Sequence, residues 1–429
     1  MFRDRSLSPQ APRRRTVSVL TALTLVLGTM AATAPSAAGS DGPNDAEIIT
    51  MWNAVTADTV IGDAGKANPE AFYWFAMEQA AVYNAVVGIT RRYELYKWDV
   101  RGPRNASPGA AAAAAAHTLL LHFFPASEGR LDDALELSLA SIPEGMERTK
   151  GIEYGEAAAA RIIALRAGDS LAPIPYAEPV APGVWQPTPP TFTPFFGAFL
   201  GELEPFMLGS TRWLRPPAPP GLDTKTYSRE FEEVKDFGAK TGSLRSEEQT
   251  QTALFFSDIG IGGLQAGLRD LITRREMSIS DAARLLAGVD LSIIDTAIAV
   301  WEAKARYHWW RPIHAIQLAD DDTNDATEAD PTWEPLIANP PYPEYPSGLN
   351  GTLGSAARAL RKLIGGVNIR LTSVAAGETR HYRTEVSLKH DAIDSRVWSG
   401  LHFRTADVVS FRMGTRVAGR ALDRYFERV

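Results

Sequence analysis

The chain has 429 residues, 45% of them hydrophobic and 22% charged, with a formal net charge of −7. That is globular composition, with room for one large core or two fused cores of roughly 150 residues each. The absence of cysteine excludes disulfides, thiolate metal sites and cysteine nucleophiles, so a metal must be held by His, Asp, Glu or backbone, or arrive as an oxyanion.

The first 38 residues read as a secretory signal peptide. Arg3, Arg5 and Arg13 to Arg15 form a basic start, and Val17 to Met30 is an apolar run too short to span a bilayer comfortably. Ser36 and Ala38 supply the small side chains of a cleavage site, and export to the exterior is the expected fate. The Arg14-Arg15 pair permits a twin-arginine route, although the residues after it fit that motif poorly. Removing residues 1–38, which carry five arginines and one aspartate, takes the net charge from −7 to −11. An acidic protein of this kind argues against nucleic acid or anionic membrane as partner. No later segment is apolar enough to predict a membrane span after cleavage.

Residues 39–170 are expected to be a helical region. Pro69 to Ile89 and Gly155 to Ala167 place apolar side chains at three- and four-residue spacing. The run Ala110 to Ala116, introduced by Ser107-Pro108, predicts a closely packed helix. Residues 171–225 form a proline-rich connector, with Pro189-Pro190 and Pro219-Pro220, too dense in proline for helix interiors. Its Trp185, Phe192, Phe195 and Phe196 predict that it lies against the protein. Helical patterning resumes over 226–429, and no strand or hairpin signal is recognised. The fold class is all-α, as two fused helical bundles or one large one.

Three segments of that last region carry charge in unusual places. A helical pattern through Leu286, Val289, Ile293, Ala297 and Val300, with Ser280 or Asp281 available as cap, leads into Lys304 and then Arg311-Pro312. If the helix continues, Lys304 and Arg311 are two turns apart on nearly one face, and two cations there repel unless an anion lies between them. Pro312 disfavours helix at Arg311. In the second segment, Pro346-Ser347-Gly348 precedes a helical run through Leu353, Ala357 and Leu360. Ser347 is thus placed as N-cap, and free amides stand where an anion binds. In the third, Arg396 and His402 are six residues apart, a spacing that turns them away from each other in a continuous helix. Ser399-Gly400 offers a break that re-aims the imidazole.

Taken in order as K-x6-R-P, P-S-G and S-R-x5-H, these segments resemble the PAP2 superfamily, specifically the bacterial vanadium-dependent haloperoxidase-like proteins. Gly183–Pro190, Asp295–Trp301, Asp330–Trp333 and Pro340–Pro346 extend the likeness. The resemblance implies a helical-bundle fold and a site that binds vanadate, or phosphate in the phosphatase relatives. Carried over by position, Lys304, Arg311, Ser347, Gly348 and Arg396 hold the equatorial oxygens. His402 bonds the metal of vanadate, or serves as phosphoryl nucleophile, and Asp407 is a candidate to orient it. Lys304, Arg311, Arg396 and His402 are then the catalytic set. The partners implied are hydrogen peroxide, a halide and a small organic acceptor.

The departure is Leu349, which stands where the family pattern P-S-G-H has its acid–base histidine. Leucine has no proton to exchange, and a positioned acid or base is worth ~10²–10⁴-fold in rate. The loss weighs more on a phosphatase, whose alkoxide must leave protonated, than on halide oxidation, where the metal activates the peroxide. A haloperoxidase-like enzyme is therefore the leading expectation. The alternatives are a catalytically silent vanadate- or phosphate-binding protein and a phosphatase with a substitute acid. His308 and His314 are the candidate substitutes. His117 and His122 read as structural, and His381 and His390 carry no spacing argument. Asp320 to Asp325 resembles half of a calcium loop but has Pro331 where a glutamate belongs, so a solvated acidic loop is expected.

Overall fold

The computed structural model describes residues 45–429, so the predicted leader lies outside the described residues. The first half contributes five helices: α1 (Asp45–Ala57), α2 (Glu70–Thr90), α3 (Pro108–Phe123), α4 (Glu128–Ala140) and α5 (Met146–Leu165). Ser107 caps α3 by accepting from the Ala110 N–H, Pro108 occupies the first turn, and Ala110 to Ala116 are all buried. The alanines work through proximity. A Cβ placed on Gly155 of α5 would lie 2.2 Å from the Ala111 carbonyl oxygen, so the two backbones nearly touch.

The second half supplies α6 (Lys225–Gly238), α7 (Glu247–Asp258), α8 (Ile261–Arg274) and α9 (Ile279–Tyr307). It continues with α10 (Pro312–Gln317), α11 (Gly348–Ile364), α12 (Glu385–Trp398) and α13 (Arg404–Ala421). The 29-residue α9 is buried along almost all its length and packs against α2, α11 and α13. It is the axis on which both halves share one apolar core, from Trp52 and Phe75 to Leu360 and Phe411. Its cap is Ser278, which accepts from the Asp281 N–H at 3.3 Å, rather than Ser280 or Asp281. A smaller core of Phe231, Trp310, Trp333 and Phe403 lies between α6 and α10. The described residues fall in one compact unit, and none of their helices is long and apolar enough to cross a membrane.

The connector carries no α-helix and packs tightly. Trp185 is fully buried, and Phe195, Phe199 and Phe206 are buried with it; Phe192 and Trp213 are exposed. Several anchors hold the connector to α9 and its C-terminal cap, among them the Arg215–Glu302 ion pair and the Tyr307 hydroxyl, which donates to the Pro216 carbonyl. The Asp295 carboxylate accepts the backbone N–H groups of Phe206, Met207 and Leu208, and the Trp185 N–H donates to the His308 carbonyl.

The structure corrects the expectation of no strands. β1 (Ile369–Ser373) and β2 (Glu378–Tyr382) pair antiparallel, with Ile369 opposite Tyr382. Each is only five residues long. Ile369, Leu371 and Ser373 alternate inward in β1, but β2 is polar at four of its five positions, so the two-residue period is lost in the sequence. The hairpin packs on α8, where a Cβ on Gly267 would meet the Arg370 carbonyl oxygen at 2.5 Å.

Candidate functional site

The helix α9 ends sooner than its apolar pattern allows. His308 adopts the left-handed conformation (φ 47°) and its N–H closes on the Lys304 carbonyl, so Arg311 is not on the same helix. Arg311 instead lies in extended backbone as the N-cap of α10, with Pro312 in the first turn. The chain reversal at His308, rather than two helical turns, brings the two cations together. A second reversal does the same for the imidazole. The helix α12 stops at Trp398, and Gly400 takes φ 76° where any side chain would strike Gly238 and Pro335. His402 therefore sits in the short bridge to α13, aimed back at Arg311.

Lys304, Arg311, Ser347, Arg396 and His402 are all buried. Lys304 Nζ donates to the carbonyls of Pro343 and Glu344 at 2.5 and 3.0 Å, which leaves one of its three protons free. Arg311 Nε donates to the Tyr342 carbonyl (3.1 Å), and its Nη1 to the Leu401 carbonyl (2.9 Å) and to His402 Nε2 (3.2 Å); Nη2 has no partner. The Arg396 side chain makes no hydrogen bond or ion pair among the described residues, and its Nε is sealed from solvent. Ser347 occupies the N-cap position of α11 but does not cap it. Its Oγ is buried and makes no formed hydrogen bond, though it lies close enough to the Asp407 carboxyl to lower that group's pKa. Gly348 opens α11 with its Cα pressed towards Trp301, where a Cβ would meet the indole at 3.3 Å.

The residue that orients His402 is Glu344, not Asp407. Glu344 is fully buried, and its Oε1 accepts from His402 Nδ1 at 2.9 Å and from the Phe403 N–H at 3.1 Å. An arginine can only donate, so the imidazole nitrogen facing Arg311 must be the acceptor. That fixes the neutral tautomer with the proton on Nδ1 and a lone pair on Nε2. Burial, and then the charge of Arg311, push the His402 pKa well below the ordinary value, which keeps the imidazole neutral. Asp407, in the first turn of α13, accepts instead from Asn350 Nδ2 at 2.8 Å, and burial lifts it to about 7.

Electrostatically the cluster lacks negative charge. Among the described residues, none of Lys304, Arg311 and Arg396 lies within ion-pair distance of a carboxylate. Burial and mutual repulsion push Lys304 well down and Arg311 to about 10, and burial lowers Arg396. Burial also raises Glu344 well above the carboxylate range, so the two nearby acids do not repay the deficit. Arg311 Nη2, Arg396 Nε and Ser347 Oγ remain as buried donors without partners. Buried groups left in this state are costly unless an acceptor joins them. Together with the first amides of α11 and the His402 lone pair, this donor set fits a tetrahedral oxyanion such as vanadate or phosphate.

A cavity of about 480 Å³ opens onto this cluster at Gly348 and Arg396. Leu349 lines it, with Phe72, Phe196, Trp301 and Tyr342, and no histidine does. His308 pairs with Glu178 (3.0 Å) and packs edge-on to Tyr176. His314 is half-buried, with its pKa pressed down to about 4 by desolvation, and does not reach the cavity. The remaining histidines lie elsewhere: His117 pairs with Asp132, His122 packs on Phe123, His381 bonds Asn368, and His390 faces Asp394. In the acidic loop, Asp322 is buried rather than solvated; it accepts from Tyr227, Thr327 and the Asn324 N–H and so pins the loop to α6.

Sequence reasoning missed Glu344 because its partner is 58 residues away. The available signal was a lone carboxylate inside the apolar, proline-bounded run Pro340 to Pro346.

Comparison with known proteins gives a consistent picture. Residues 284–429 match the model of the VCPO second helical-bundle domain, a span that contains Lys304, Arg311, Ser347, Arg396 and His402. A vanadium chloroperoxidase of Curvularia inaequalis is 35% identical over 95 residues, which is 20% of this chain and 15% of that protein. The fold resembles the first bacterial vanadium-dependent iodoperoxidase (TM-score 0.74, 21% identity), over 90% of this chain and 97% of that one. It also resembles an apo-type bacterial vanadium-dependent chloroperoxidase (TM-score 0.68, 19% identity), over 82% and 92% of the respective chains.

Proposed function

Starting from a vanadium haloperoxidase-like chain, we propose that it is a haloperoxidase that binds vanadate and uses hydrogen peroxide to oxidise halide, which then halogenates an organic acceptor. The observation that carries this reading is the His402–Glu344 pair, a neutral imidazole with its lone pair turned into a cluster of cations that lack counter-charge. Bound vanadate supplies a Lewis-acidic centre that activates peroxide. Lys304, Arg311 and Arg396 neutralise the oxyanion, and Ser347 Oγ and the first amides of α11 hydrogen-bond its oxygens. His402 offers Nε2, while Glu344 holds the Nδ1 proton and raises the basicity of the ring. Leu349 moves no proton, so proton transfer falls to water entering from the cavity, at a cost in rate of order 10²–10⁴-fold. The arginine-led apolar leader supports export as the setting for this chemistry.

Leu349 also favours a second reading, an oxyanion-binding protein without turnover, because no histidine lines the cavity. One sample separates the two. Bromination of a dye by vanadate-loaded protein with peroxide, and hydrolysis of p-nitrophenyl phosphate by the vanadate-free protein, are measured side by side. The first reading expects vanadate-dependent bromination and no ester hydrolysis. Tight vanadate binding without bromination selects the second, and vanadate-inhibited ester hydrolysis contradicts both.

A further inference from the structure

The cavity above the oxyanion cluster combines features that a site for peroxide and halide alone does not need. Its walls are aromatic, from Phe72, Phe196, Trp301 and Tyr342, and Leu349 makes its floor apolar beside Gly348. Among the described residues, Arg396 is the one charged side chain that lines it. Arg396 is 7% exposed, its Nε has no partner, and no carboxylate lies within ion-pair distance among the described residues. A cavity of about 480 Å³ is far larger than a halide and falls in the range of sites for small organic ligands.

We propose that this chamber binds an aromatic organic anion, a carboxylate on one or two fused rings, with its head on Arg396 and its rings against Phe196, Trp301 and Leu349. A guanidinium without counter-charge in an apolar setting selects an anion, and a planar carboxylate matches its fork in two parallel hydrogen bonds. Aromatic walls with an aliphatic floor select a flat apolar body, whose burial adds affinity that a small anion cannot gain. A leucine at position 349 serves this purpose where a polar side chain would not, since it meets the ring without asking for a hydrogen bond. The role of that anion as the organic acceptor rests on the haloperoxidase reading. Oxidised halogen leaving the oxyanion site as hypohalous acid would meet the ring at once. A ring carbon–halogen bond forms, the ring carbon–hydrogen and halogen–oxygen bonds break, and water leaves. Binding of the anion does not depend on that reading.

The test is a titration of 2-naphthoate into the protein, with 2-naphthylmethanol as the neutral isostere and acetate as the head group alone. We expect 2-naphthoate to bind at least about tenfold more tightly than either. Ser257 lies exposed at the cavity wall and outside the oxyanion cluster. Ser257→Glu should weaken naphthoate binding at least about threefold by placing a like charge near the carboxylate, while Ser257→Gln leaves it unchanged. Arg396→Gln should erase the preference over the neutral isostere. Equal binding of naphthoate and naphthylmethanol, or of naphthoate and acetate, overturns the proposal. So does strict competition between naphthoate and vanadate, which would put the carboxylate in the oxyanion cluster rather than on the chamber face of Arg396. If naphthoate is selected but vanadate does not bind, the haloperoxidase reading fails and the chamber assignment stands.

Discussion

At the scale of single residues, the site depends on which nitrogen of His402 carries the proton, and Glu344 decides that. Glu344→Gln replaces the carboxyl by an amide of the same size, so the fold should survive while vanadate affinity falls about 10–100-fold, the usual cost of losing such an outer partner; calorimetry and circular dichroism on the same sample check both. Leu349→His places a proton donor at the mouth of the cluster. It should raise peroxide-dependent bromination at least about tenfold, and an unchanged rate would mean that position 349 is not where the proton is supplied. The cations, the serine and the imidazole were legible in the sequence because each lies in a short segment with its own spacing. The assignment of Asp407 to His402 failed because it weighed only helical neighbours. The true partner arrives from a loop between α10 and α11 that has no periodicity to read.

At the scale of elements, the cluster is assembled by reversals and close crossings. The left-handed turn at His308 and the Gly400 break each bring in one charged group, and the crossing of α11 and α13 fixes Ser347 relative to His402. That crossing is tight. A Cβ on Gly414 would lie 2.0 Å from the Gly351 carbonyl oxygen, and one on Gly354 would lie 2.3 Å from that of Phe411. Gly414→Ala should therefore destabilise the protein by about 1–3 kcal/mol through overpacking and weaken vanadate binding with it. Gly366→Ala, where an added Cβ meets nothing within 4 Å, should do neither; thermal melts with and without vanadate make the comparison. The proline after Arg311 and the glycine before His402 were legible as breaks. How far α9 runs was not, since Lys304 to Tyr307 continues the helical pattern without a stop signal. The hairpin was missed for a related reason, because only β1 shows an inward face.

At the scale of the whole molecule, the all-α class was legible because long helices repeat their apolar spacing many times and α9 repeats it over 29 residues. The polar chain inside the shared core was not. Arg269 donates to Asn53, Asn53 to Gln265, and Gln265 to Asp290, joining α8, α1 and α9. Burial lifts Asp290 to about 8 and holds the neighbouring Glu78 well above the carboxylate range. The folded state thus binds a proton that the unfolded chain releases near pH 4. Its stabilising effect is full below about pH 4 and is lost as pH rises towards 8. Asp290→Asn keeps the acceptor for Gln265 and removes the ionisation, so the melting temperature of the wild type should fall relative to this variant between pH 5 and 8. A constant difference across that interval would place the titration elsewhere.

In the proposed site, five polar side chains from separate segments enclose one oxyanion, and His402 bonds it directly. Calorimetric titration of orthovanadate into the protein, beside the His402→Ala variant, tests it most directly. One equivalent should bind to the wild type, and the variant should lose at least about tenfold in affinity. No saturable binding to the wild type, or equal binding to both, would contradict it.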